Sequence, residues 1–348
     1  MVGVTLESTD EHWHASTKQA HWNESFYFNV FDTDAGWGCA VRVGASPNAD
    51  NRDGFICLYL PDHTTGFIRT SQRLDGDESR IVAGGIELRC AEPFGRWHIT
   101  YDGPIYHYDR AASSDDILRT LDTSAPAKHL ELDLEVERLS AAVDYDDRSV
   151  RTRPIGEMLR LGKRGSTLRT IRRTVRALGA LPAMMGAHHY EQSMTARGTV
   201  TVDGDRHLIA GHGQRDHSWG VRDMGVPASW RWVSCQFGQD LCFNATQVDV
   251  LGMRVQSGFV HGAGETEALD SWGYEATHDT SQYWPDSMDL WLKTKSGRRI
   301  TLEAKVTTPL PVIADPESQD VLVTAARAEY RWEGRTADGM VEFMERLS

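Results

Sequence analysis

The chain has 348 residues, 40% of them apolar and 25% charged, the balance of a globular protein without disordered or collagen-like bias. Single cores usually stop growing near ~250–300 residues, so two domains are expected. A formal net charge of −13 lacks the surplus of Lys and Arg that neutralises phosphates, which excludes nucleic acid as a partner.

Residues 1–7 show no basic region followed by an apolar run, so no signal peptide is expected. No apolar stretch approaches the ~20 residues of a spanning helix. Five cysteines without a CxxC pair predict neither a disulfide framework nor a zinc ribbon, and reduced thiols in the cytoplasm are the expectation. Eleven Trp exceed what a core of this size needs, so several are expected to wall a pocket.

From residue 21 an aromatic, β-branched run (His21 to Phe31) is broken at Asp32-Thr33-Asp34-Ala35-Gly36 and resumes at Gly38 to Gly44, which reads as strand, turn, strand. Phe55 to Leu60, Arg80 to Ala83 and Ile86 to Cys90 continue as short strands between turn residues. In residues 129–136 Leu130, Leu132, Leu134 and Val136 alternate with His129, Glu131, Asp133 and Glu135, giving one buried and one wet face. Residues 1–150 thus predict an antiparallel β sandwich or barrel.

The pattern changes over residues 151–187, where Leu168, Ile171, Val175 and Leu178 fall at helical spacing among Arg169, Arg172, Arg173 and Arg176. A basic amphipathic helix is expected here, ended by Gly179 and Pro182. It serves as a linker pairing with carboxylates of two domains; the alternative is peripheral membrane contact through residues 155–178. Strand signals then return, and residues 188–348 are expected to form a second β domain. Within it, Gly211 to Asp223 concentrates titratable side chains and an indole between glycines that permit close backbone approach. If extended, it presents Arg215, His217 and Trp219 on one face and Asp216 and Ser218 on the other.

The combination His189-Tyr190-Glu191-Gln192, then Gly211-x-Gly213-x-Arg215-Asp216-His217-Ser218-Trp219-Gly220, then Trp230-x-Trp232 resembles the carotenoid 1,2-hydratase and AttH-like superfamily. The resemblance implies an all-β fold of two tandem lipocalin-like antiparallel barrels, here joined by the helical linker, with an apolar ligand in or between them. It implies hydration, dehydration or cyclisation of hydrophobic substrates without metal or organic cofactor, and carries activity over to His217 and Trp219. Those hydratases also rely on a Tyr and an Asp in a strand that aligns with Cys242 to Gln247. Here that strand offers Phe243 and Asn244 instead, which leaves Asp216, Asp223, Glu191 or Asp249 as the acid.

Hydrating a tertiary alkene needs an acid, a site that tolerates a cation, and a held water. Asp216 beside His217 is the expected proton-delivery pair, with Glu191 a further catalytic candidate. Trp219, Tyr190, Trp230, Trp232, Arg215, Phe243 and Asn244 are the expected substrate-binding residues. Each cation–π contact contributes roughly 0.5–2 kcal/mol, too little alone against a barrier lowered by at least ~8 kcal/mol. His207, His212 and His217 are spaced by five, which puts successive members on opposite strand faces, so no metal is expected. No Gly-x-Ser-x-Gly elbow occurs. The expected protein is therefore a cofactor-independent hydratase, dehydratase, isomerase or cyclase of an isoprenoid, terpenoid or steroid-like substrate. The alternative is a non-catalytic carrier of a hydrophobic molecule.

Overall fold

The computed structural model describes residues 6–74, 76, 79–108, 127–147, 188–222, 227–250, 253–278, 284–313 and 321–346. A short 3-10 turn, Ser8–Glu11, precedes β1 (Trp22–Asp32), β2 (Trp37–Ser46), β3 (Asn51–Tyr59), β4 (Thr65–Gln72), β5 (Ile81–Ala83), β6 (Ile86–Glu92), β7 (Arg96–Tyr108), β8 (Ala127–Arg138) and β9 (Val143–Asp144). After them come β10 (His188–Val202), β11 (Asp205–Val221), β12 (Ser229–Gln236), β13 (Cys242–Val250), β14 (Met253–Gly262), β15 (Glu265–Thr277), β16 (Ser287–Thr294), β17 (Arg299–Ile313), β18 (Val321–Trp332) and β19 (Arg335–Arg346).

Alternation makes these strands and aims them. In β8, Leu130, Leu132, Leu134 and Val136 are buried while Glu131 and Asp133 face out, and fully burying each such side chain is worth about 1.5–3 kcal/mol. The first barrel runs β4-β3-β2-β1-β11-β10-β8-β7 and closes where β7 pairs with β4; β6 and β5 continue outward from β7. The second is a closed barrel of β12 to β19 in sequence order. Each has its own apolar interior, one around Phe26, Phe28, Trp97 and Leu134, the other around Val233, Phe243, Leu292 and Tyr330.

The all-β architecture of two antiparallel barrels is as expected, but the boundary between them is not. β10 and β11 lie between β8 and β1 in the first barrel, so they do not open a second domain at residue 188. The pairing of β11 with β1 spans about 190 residues of sequence, which local patterns do not encode. The second barrel begins at β12. The helical linker over 151–187, with its basic face at 155–178, falls outside the described residues, and among the described residues no α-helix occurs. No helix among them is long and apolar enough to cross a membrane.

The barrels meet through a shared apolar cluster in which Phe31, Tyr59 and Phe67 of the first pack against Trp232, Leu310 and Ala325 of the second. The Tyr59 hydroxyl donates to the Ala325 carbonyl at 3.2 Å, and Arg327, paired with Asp338 at 2.6 Å, reaches the Gly36 carbonyl of the first barrel. Gly211 and Gly213 let β11 lie tight against β1. A Cβ at Gly213 would sit 1.7 Å from the Asn29 carbonyl oxygen, and one at Gly211 would sit 2.2 Å from that of Phe31.

Candidate functional site

β11 separates two polar networks. Arg215, His217 and Trp219 point into the first barrel, beside Phe26 and Phe28 of β1 and Tyr190 and Gln192 of β10. Asp216 and Ser218 point outward, toward the second barrel, beside Tyr27 of β1 and Glu191 and His189 of β10. The face split expected from the sequence is present, and it breaks the expected His217–Asp216 pair.

The inward network is closed by the N-terminal segment. Arg215 is 1% exposed; its Nη2 is 2.6 Å from Glu11 Oε1, its Nη1 3.0 Å from Glu11 Oε2, and its Nε donates to Gln192 at 2.9 Å. Tyr190 donates to Glu11 at 2.8 Å, as does the Trp97 indole at 2.9 Å. His217, fully enclosed, lies 2.9 Å from Glu24 and 2.8 Å from the Asp10 carbonyl. Burial pushes its pKa down. Trp219 stacks on His14 at 4.0 Å and on His188 at 5.1 Å, lining a cavity of about 320 Å³. Arg215 and Tyr190, expected to bind substrate, are thus occupied in holding the N-terminal turn.

The outward network opens on a larger cleft between the barrels, about 600 Å³, walled by Tyr27, Phe55, Phe67, Trp230 and Trp232. Among the titratable side chains that line it are His189, Asp216 and Glu342, with the Arg222 guanidinium beside them. His189 Nε2 is 2.8 Å from Asp216 and 3.4 Å from Glu191. Burial pushes the Asp216 carboxyl up, but His189 and then the Arg222 guanidinium outweigh it and hold the group below the usual carboxylate range. His189 is lowered by burial and raised more by Asp216 and Glu191, so it is held above an ordinary imidazole. Asp216 and His189 therefore each favour the other's charged form.

Glu342 is the opposite case. Burial, with the Asp216 charge adding to it, pushes its carboxyl up to about 7, against the Trp230 hydrogen bond and the Arg222 charge. The Trp230 indole donates to it at 2.7 Å. Glu191 is also raised to about 7 by burial, but it is fully enclosed behind the cleft wall. It accepts the Trp232 indole at 3.1 Å and Gln214 at 2.9 Å, so it acts on the cleft only through Trp232 and His189.

Of the other expected ligand-binding residues, Trp230 and Trp232 line the cleft. Phe243 points into the second barrel, edge to face with Tyr330, because Cys235 and Phe243 pair on the inward side of their strands. Asn244 faces the barrel junction, where its carbonyl accepts the Tyr145 hydroxyl at 2.6 Å. Asp249 is tied to Arg254 at 3.0 Å on the surface, and Asp223 lies outside the described residues. Sequence patterns passed over Glu342, His189 as an acid–base group, Glu24 and Glu11. The available signal was a lone carboxylate inside an apolar strand, as in Met340-Val341-Glu342-Phe343 and Trp22-Asn23-Glu24-Ser25-Phe26.

The chain matches DUF7064, a domain of unknown function, over residues 7–347 and belongs to that family. Comparison with curated proteins gave no sequence match. Among solved structures, a protein assigned as an AttH from Nitrosomonas europaea has TM-score 0.61 at 13% identity, covering 100% of this chain and 99% of that one. Kievitone hydratase from Nectria haematococca follows at 0.53 and 10%, covering 99% and 93%. CghA gives 0.54 and 10%, covering 94% and 89%. These likenesses show the fold, the paired barrels of AttH-like proteins.

Proposed function

We propose that the protein is a hydratase, dehydratase or isomerase that works by acid–base proton transfer on an apolar, isoprenoid-, terpenoid- or steroid-like substrate held between its barrels. One observation carries the reading: two carboxyl groups in one aromatic-walled cleft have their pKa values driven apart, Glu342 up and Asp216 down. Such a division is what a reaction needing both an acid and a base requires. Glu342, protonated to about pH 7, gives its proton to an alkene carbon. Trp230 and Trp232 shield the cation formed, and a water adds to it. Water bound to a carbocation is a strong acid, so the weakly basic Asp216 carboxylate, oriented by His189, suffices to take its proton. Dehydration runs the same steps backward. The hydratase among the structural neighbours supports the reading by its fold.

The test begins with mass spectrometry of small molecules that co-purify with the protein, followed by turnover of prenylated alkenes and tertiary alcohols in D₂O. Deuterium should enter the product carbon, and Glu342→Gln and Asp216→Asn should each abolish its entry. Ligand binding with no turnover in the wild type, or turnover unaffected in both variants, overturns the catalytic reading; the first outcome identifies a carrier.

A further inference from the structure

At the mouth of the first barrel three ligand-type atoms converge, and the hydrogen bonds around them do not close. His14 Nδ1 lies 2.8 Å from Glu24 Oε1, and His217 Nε2 lies 2.9 Å from the same oxygen. All three atoms are within 4.8 Å of one another. The outer nitrogen of each ring is already engaged by an acceptor. His217 Nδ1 is 2.8 Å from the Asp10 carbonyl oxygen, and His14 Nε2 is 3.2 Å from Asp10 Oδ1. A neutral imidazole carries one hydrogen, and these contacts place it on the outer nitrogen. Both inner nitrogens then present lone pairs to a carboxylate oxygen. Three acceptors facing one another need either two further protons or one cation between them.

We propose that His14, Glu24 and His217 form a binding site for a divalent first-row metal, zinc being the ion that two imidazoles and one carboxylate suit best. The surroundings are those of such a site. Each ligating ring is oriented by a hydrogen bond from its far nitrogen, and Glu24 Oε2 accepts the His14 backbone N–H at 2.9 Å, the outer contacts that fix metal ligands. His14 is 22% exposed while Glu24 and His217 are enclosed. His14 also lines the 320 Å³ cavity with Asp10 and Trp219, which supplies an entry path. The site would fasten the N-terminal segment over the barrel mouth. Spacing along the sequence missed it because its ligands come from residues 14, 24 and 217, not from the run His207, His212, His217.

The second cluster of this kind, His189 with Glu191 and Asp216, has no such need. It contains one imidazole, and a single hydrogen on His189 Nε2 is enough to satisfy its contacts with Asp216 at 2.8 Å and Glu191 at 3.4 Å.

The site is tested on the full chain purified without added metal, then treated with a chelator and titrated with Zn²⁺ or Co²⁺. Elemental analysis should find one zinc per chain, Co²⁺ should give the visible absorption of a nitrogen- and oxygen-ligated ion, and zinc should raise Tm. His14→Ala should weaken binding by at least about tenfold. His14→Gln, which sets an amide donor against Glu24 in place of the imidazole lone pair, is the second variant if His14→Ala does not fold. Substoichiometric binding of both ions by the wild type, or unchanged binding in the folded variant, overturns the metal site and leaves a network closed by two protons.

Discussion

Asp216 and His217 are adjacent in sequence, yet their side chains leave β11 on opposite faces and end in separate networks, Asp216 on His189 at 2.8 Å and His217 on Glu24 at 2.9 Å. The strand backbone between them is the wall between barrel interior and inter-barrel cleft. A proton cannot pass from one to the other without crossing that wall. The acid that faces Asp216 across the cleft comes from the far barrel, as Glu342 of β19.

Replacement of Glu342 by Gln should lower kcat by about 10²–10⁴-fold, the usual contribution of a general acid. The same change should stabilise the fold at alkaline pH. The folded carboxyl titrates near 7 and the unfolded one near its ordinary value. Wild-type stability is thus lost as pH rises between those two values, where only the unfolded state releases the proton. Gln carries no buried charge and can still accept from Trp230. Thermal melting should show the variant equal to wild type at pH 5 and higher by a few degrees at pH 8. A difference between variant and wild type that is the same at both pH values would contradict the raised pKa.

Trp230→Phe should move the alkaline limb of the pH–rate profile, the one that reports loss of the acid's proton. The indole donates to Glu342 and lowers its pKa, whereas burial and Asp216 raise it. Without that donor the carboxyl holds its proton to higher pH, so the fall in rate expected near pH 7 in the wild type should shift upward. The substitution alters no other titratable group that lines the cleft. A profile that keeps its midpoint would remove Glu342 from the role of acid.

The sequence was readable wherever the controlling interaction is local. Alternation in residues 129–136 and 215–219 set which side chains are buried and which face each takes. It could not tell which of two faces meets the ligand, since that depends on β11 pairing with β1 far back in the chain. For the same reason His217, the most conspicuous residue of its motif, belongs to the barrel interior, and Phe243 to the core of the second barrel. Glu342 was hidden because one carboxylate on an apolar strand has no meaning until the strand opposite is known.

Glu11→Ala should destabilise the protein by about 3–5 kcal/mol, the cost of leaving a buried charge unpaired. Arg215 is enclosed and its guanidinium is held by both Glu11 carboxylate oxygens, while Trp97 and Tyr190 also donate to that carboxylate. Urea unfolding should show a lower midpoint with an unchanged slope. The double variant Glu11→Ala, Arg215→Met should recover part of the loss, since it removes the stranded charge as well as its partner. A single variant within about 0.5 kcal/mol of wild type, the range of ordinary surface changes, would mean the N-terminal turn does not seal the barrel.

Gly213→Ala should be as damaging although it adds one methyl group. Its Cβ would lie 1.7 Å from the Asn29 carbonyl oxygen and 3.0 Å from the Val30 Cα, backbone atoms that cannot rotate away. Relief requires β1 and β11 to part, and that movement would stretch the contact between Gln214 N–H and Asn29 Oδ1, now 3.0 Å. It would also displace Asp216 relative to Tyr27, its neighbour across the strand pair. Loss of stability and loss of activity should therefore appear together. Gly204→Ala is the control: open space surrounds its Cβ position, and only the φ of +89° is unfavourable. It should cost on the order of 1 kcal/mol and leave turnover per folded molecule unchanged, so a Gly213→Ala variant that behaved like it would show that the tight β1–β11 approach does not position the cleft.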